Sequence, residues 1–104
     1  MSVLRGILKE EGKRLKSLTR MYSSEIRKLP RGCLSVKRIR NGEYAYLAYR
    51  KGGRVRFDYL GSIQSDKVAD MRGKVEERRK LQSLMRKAKR NLEEVERMLR
   101  VRPA

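Results

Sequence analysis

The side chains best equipped for chemistry gather in one stretch. Lys37, Arg38, Arg40, Tyr44, Tyr46, Arg50, Lys51, Arg54 and Arg56 all fall within "KRIRNGEYAYLAYRKGGRVR", where cations and phenol rings are interleaved. Guanidinium and ammonium groups beside aromatic rings suit a nucleic-acid ligand. The charges meet phosphates and guanine edges, and each ring can stack on a base, worth about 1–3 kcal/mol.

Catalytic chemistry has little to build on. The chain holds no histidine for acid–base work and no glycine-rich phosphate loop. Its carboxylate pairs, Glu76-Glu77 and Glu93-Glu94, sit among Arg and Lys as the solvated faces of helices do. Cys33 is the single cysteine, so there is no intrachain disulfide and no cysteine-based metal site. Without a partner imidazole it reads as a small structural residue. A tyrosine nucleophile would need a supporting constellation that normally includes histidine. The expectation is a binding protein, not an enzyme, with no cofactor, no metal and no small-molecule substrate.

The charge points the same way. Of 104 residues, 29 are Lys or Arg and 12 are Asp or Glu, a formal net charge of +17. Residues 1–33, 34–64 and 65–104 carry +6, +5 and +6, so the whole body is basic. Such a one-sided excess calls for an acidic partner, nucleic acid first. Arg outnumbers Lys 18 to 11, which favours bidentate contacts to phosphate or guanine. "MSVLRGILKEEGKRLKS" lacks the apolar run of a secretory signal, and no long uncharged apolar stretch occurs. A cytoplasmic location without membrane insertion is expected, with nucleoid association if the ligand is DNA.

The elements that must position these residues follow from hydrophobic spacing. Leu4, Leu8, Leu15, Leu18, Tyr22, Ile26 and Leu29 form one helical stripe, and "LPRG" stops it. From Leu34 to Leu60 the period drops to two. Asn41-Gly42 and Lys51-Gly52-Gly53 mark reversals, which predicts strands over 34–40, 43–50 and 54–60. Ser65 then caps a long helix over 66–102, whose stripe includes Val68, Met71, Val75, Leu81, Leu84, Ala88, Leu92, Val95 and Leu99.

The predicted fold class is therefore α+β: one domain over 1–104, with a helix (1–29), a three-stranded antiparallel meander (34–60) and a long C-terminal helix (66–102). That second helix is too long for a small sheet to cover. Its far half must pair with the first helix as an antiparallel hairpin, with a second copy in a coiled-coil homodimer, or with another protein.

Register is argued from turns and faces. A reversal at Asn41-Gly42 sets Val36 opposite Leu47 and Leu34 opposite Tyr49. A three-residue loop at Lys51-Gly52-Gly53 sets Val55 opposite Tyr49, Phe57 opposite Leu47 and Tyr59 opposite Ala45. A two-residue Gly52-Gly53 loop would instead bring Asp58 against Leu47, so the longer loop is preferred. Leu34, Val36, Ala45, Leu47, Tyr49, Val55, Phe57 and Tyr59 then share the core face. The other face holds Lys37, Tyr44, Tyr46, Arg50, Arg54 and Arg56, while Arg38 and Arg40 stand at the rim of the core face near the Asn41-Gly42 turn.

"LPRGCLSVKRIRNGEYAYLAYRKGGRVRFDYLG" (29–61) resembles a group of small prokaryotic and archaeal proteins of uncharacterised activity. They share an L-P-x-G lead-in, a Tyr-rich hairpin ending Y-R-x-G-x-[KR]-V, and Y-[IL]-G before a charged helix. Cys33 departs from that pattern, as does Phe57-Asp58. Some relatives occur beside nucleotidyltransferase-type toxin genes, which implies an antitoxin or operon-regulator role. The hairpin is also similar to the three-stranded arm-type DNA-binding domains of phage-type integrases. That resemblance implies DNA contact through the sheet face, by Tyr46, Arg50, Arg54 and Arg56.

The reading is thus a nucleic-acid-binding protein, with double-stranded DNA favoured and RNA as an alternative. Its rival is an antitoxin or adaptor that grips an acidic protein through the long helix.

Overall fold

The computed structural model describes residues 2–101. In chain order they form α1 (Val3–Arg27), β1 (Cys33–Ile39), β2 (Gly42–Lys51), β3 (Arg54–Ser62) and α2 (Asp66–Arg100). This is the expected α+β order of helix, three-stranded antiparallel sheet and long helix. Met1 and Arg102, which the sequence assigned to the helices, lie outside the described residues.

The chain folds as two compact units. One is helical and holds residues 2–28 and 80–101. Leu8, Leu15, Leu18 and Tyr22, three, four or seven residues apart, line one side of α1. They pack with Ala88, Leu92, Val95 and Leu99 of α2, and Leu15, Ala88 and Val95 are buried. The helices run antiparallel: Gly12 faces Val95, and the Arg5 guanidinium donates to the Leu99 carbonyl at 3.0 Å. The apolar stripe of this half of α2 is therefore matched by α1 of the same chain.

The second unit spans Leu29–Arg79. Its sheet has the order β1-β2-β3, and its core joins Ala45, Leu47 and Leu60 to Val68 and Val75 of α2. Leu34, Tyr49, Ile63 and Met71 pack around them. The start of α2 is fixed by its cap: Ser65 Oγ accepts the Val68 N–H at 3.3 Å, satisfying a backbone donor that the first turn leaves unpaired. The Arg78 guanidinium donates to the Leu29 carbonyl at 2.7 Å, tying α2 to the chain entering β1.

Both reversals differ from the sequence reading. In the first hairpin Leu34 pairs with Leu47 and Val36 with Ala45, so the turn is at Arg40-Asn41, one residue early, and the register moves by two. Arg40 takes a left-handed φ of 56°, and Gly42 enters the strand. A shift of two keeps every β1 side chain on its expected face.

In the second hairpin Lys51 pairs with Arg54, leaving the two-residue Gly52-Gly53 loop. These residues have φ of 61° and 77°, the pair of left-handed conformations that suits the twist of a tight hairpin. The register moves by one, and one residue inverts a strand. Val55, Phe57 and Tyr59, expected in the core, turn to the solvent face and are about half exposed, at 52%, 49% and 57%. Val36 keeps its face yet is also exposed.

Arg54, Arg56 and Asp58 take the face of Leu47 and Tyr49. The Asp58–Leu47 pairing that argued against this loop does form, and Asp58 is accommodated because it accepts the Tyr49 hydroxyl at 3.2 Å. A bulge opposite Ala45/Tyr46 then leaves Leu60 without a cross-strand partner, and Leu60 is buried in the core.

Candidate nucleic-acid interface

Alternation along the strands sets the composition of the sheet's outer face. β1 contributes Ser35, Lys37 and Ile39, β2 contributes Tyr44, Tyr46, Ala48 and Arg50, and β3 contributes Val55, Phe57 and Tyr59. The rings are in mutual contact. Tyr46 and Tyr59 are cross-strand partners whose centroids lie 5.4 Å apart edge to face, and Tyr44 is tilted against Tyr59 at 6.3 Å. These are favourable aromatic geometries, in ring distance and in angle. Tyr44 and Tyr46 are half-buried, whereas Phe57 and Tyr59 are exposed.

One cation is built into the surface. The Lys37 ammonium lies 5.0 Å from the Tyr46 ring centroid and 4.7 Å from that of Phe57. Lys37 starts on β1 and Phe57 is on β3, so the side chain reaches across β2 to the middle of the face. The attraction of each ring face for the cation holds it there. Arg50 stands further along β2, exposed and without an ion pair among the described residues.

At the other end of the face, the rings and the first turn border a shallow hollow open to solvent. Tyr44, Tyr46 and Tyr59 line it together with Ile39, and Arg40, Asn41 and Gly42 form the turn beside it. Gly42 matters because a Cβ there would stand 2.7 Å from the Tyr44 hydroxyl oxygen and 2.9 Å from the ring. The Tyr44 ring occupies the space that any side chain would need.

The residues singled out from the sequence thus divide. Lys37, Tyr44, Tyr46 and Arg50 share the outer face, and Arg40 lines the hollow. Arg38, Lys51, Arg54 and Arg56 belong to the opposite face, where Arg38 pairs with Glu43 at 3.3 Å. The grouping of Arg54 and Arg56 with the tyrosines is corrected by the Gly52-Gly53 register. Phe57 and Tyr59 take their place, and sequence reasoning had put both in the core. The signal that could have found them is the Gly-Gly pair, because two adjacent residues free to take positive φ fit a two-residue loop.

On the opposite face, burial and the Asp58 carboxylate beside it raise the Tyr49 phenol above its ordinary value. Among the described residues, no group of His, Cys, Asp or Glu side chains could hold a metal ion. No helix among them is long and apolar enough to cross a membrane.

A family model described as a domain of unknown function (DUF6788) matches residues 4–70. The chain belongs to this family. The matched segment takes in α1, the whole sheet with its ring-bearing face, and the first residues of α2. No curated protein and no solved structure matches the chain.

Proposed function

We propose that this protein is a non-enzymatic, cytoplasmic nucleic-acid-binding protein whose contact surface is the outer face of the sheet. The observation that carries the reading is the Lys37 ammonium set between the Tyr46 and Phe57 rings on an open face. A base can stack on the rings while its phosphate meets the cation. The net charge of +17 supplies long-range attraction for a polyanion.

The duplex reading loses support on this surface. It named Lys37, Arg50, Arg54 and Arg56 as contacts to phosphates or base edges, and of these Arg54 and Arg56 stand on the other face while Lys37 and Arg50 remain. The adaptor reading loses support as well, because the stripe of Ala88, Leu92, Val95 and Leu99 already packs with α1.

The test is binding across a salt series, with equal lengths of duplex DNA, single-stranded DNA and RNA offered to the wild-type chain and to Lys37→Ala/Arg50→Ala. Retention of at least one nucleic acid at about 0.15 M salt, lost in the double variant, supports the reading. Uniform fading with salt, identical in both proteins, overturns it.

A further inference from the structure

We infer that the ligand of this face is a single-stranded nucleic acid, and that the hollow beside the β1–β2 turn takes one of its unpaired bases. The inference rests on the nucleic-acid reading above and adds the ligand class and the seat of the base.

Tyrosine and phenylalanine rings present π-faces, and a base can meet them only when its own face is free. In a duplex those faces are stacked on neighbouring pairs, leaving base edges and phosphates to a protein. Groove edges are read by guanidiniums and amides on an element that enters the groove. Here the outer face is led by rings, and Arg54 and Arg56 are directed away from it. A surface of Tyr44, Tyr46, Phe57 and Tyr59 is matched to splayed bases. Loops, bulges and ends of RNA display such bases, and proteins read them by stacking and by hydrogen bonds to their edges.

The hollow has the surface that a base needs. Its walls are the Tyr44, Tyr46 and Tyr59 rings with Ile39, which is 48% exposed, so apolar surface stands open to water. At its rim the exposed Asn41 carries an amide with both donor and acceptor groups and, among the described residues, no hydrogen-bond partner, as base-edge reading requires. Arg40, next to it, makes no ion pair among the described residues and is held at φ 56°, a conformation that non-glycine residues rarely take. Tyr44 lies over Gly42, where no Cβ is present to displace its ring from the wall.

Lys37 lies over Tyr46, which also lines the hollow, and can neutralise the phosphate beside a seated base. The phosphate contact positions the strand, and Asn41 with the rings reads the base.

The experiment offers the full chain a fluorescein-labelled single strand of RNA of about twelve nucleotides at about 0.15 M salt. The same sequence as single-stranded DNA is offered in parallel, and as blunt DNA duplex it is the competing arm. The variants are Tyr59→Ala, Asn41→Ala and Tyr59→Phe, each checked by circular dichroism for an intact fold. A second RNA carries 2-aminopurine at successive positions, so that quenching reports the stacking of one base.

The expected result is that the single strands bind at least about tenfold tighter than duplex, and that Tyr59→Ala lowers their affinity about tenfold or more. Tyr59→Phe should retain affinity, and quenching should be confined to one or two positions and vanish in Tyr59→Ala. Duplex bound as tightly as the single strands overturns the inference, as does unchanged affinity in Tyr59→Ala. In either case loss of binding in Lys37→Ala/Arg50→Ala leaves the broader reading standing, so the two failures are distinguishable.

Discussion

Tyr44 fills the space that a side chain at Gly42 would occupy: a Cβ built there meets the phenol oxygen at 2.7 Å. The contact is with the mobile end of a side chain and not with backbone, so the fold can absorb it by moving the ring. Gly42→Ala is therefore expected to change global stability by less than about 1 kcal/mol, as surface substitutions usually do. The Tyr44 ring should nonetheless shift, altering its ring NMR signals and the wall of the hollow. Unchanged Tyr44 signals would contradict the contact.

Leu47 and Phe57 separate the two readings of the second hairpin. Leu47 is 7% exposed and belongs to the sheet core, whereas Phe57 is 49% exposed. Leu47→Ala should cost about 2–5 kcal/mol, the range for truncating a buried leucine. Phe57→Ser should cost under about 1 kcal/mol despite removing a whole ring. Urea denaturation of the two variants measures this, and comparable losses would restore Phe57 to the core.

The Gly52-Gly53 loop makes a further prediction. Both residues have positive φ, and a Cβ on either meets nothing within 4 Å, so any penalty lies in the backbone alone. Gly53→Val should destabilise by about 1–2 kcal/mol, the cost of a left-handed conformation for a branched residue. Gly52→Asn should be nearly neutral, because Asn-Gly is a favoured two-residue hairpin loop. Thermal melts of both variants would show the difference.

Tyr49 gives a pH dependence. Burial raises its phenol above the ordinary value of about 10, and donation to Asp58 adds to the effect. The folded protein holds this proton more tightly than the unfolded chain does. The resulting stabilisation is complete below pH 10 and is lost as the pH rises through the elevated folded value. Ultraviolet titration should reveal one phenol ionising late, absent in Tyr49→Phe and shifted downward in Asp58→Asn.

Much of this fold is legible in the sequence. The helical stripes predict α1 and α2, "LPRG" stops the first, Ser65 caps the second, and the period-two stretch yields the strands. Register is harder to read because two physical terms compete there. The clean segregation of Val55, Phe57 and Tyr59 with Leu47 favours a three-residue loop, while Gly52-Gly53 favours two. The shorter loop wins because both glycines take positive φ without strain and Asp58 finds the Tyr49 hydroxyl. In the first hairpin, the turn at Arg40-Asn41 lets Arg38 pair with Glu43 and places Gly42 under Tyr44. None of these tertiary contacts can be read from local turn preference. The candidate site inherits the error: Lys37, Tyr44, Tyr46 and Arg50 are found from pattern alone, while Phe57 and Tyr59 are missed.

The two units also differ in when they can be completed. The sheet unit needs only residues 29–79, and its longest strand pairings join neighbours in the chain. The helical unit joins Arg5 to Leu99 and Leu15 to Ala88, so α1 is made first and matched last. During synthesis, its leucines must wait through most of the chain for their partners. Such long-range closure slows folding and leaves apolar surface exposed in the interim. Nascent chains of this protein should therefore carry a finished sheet while α1 is still seeking cover.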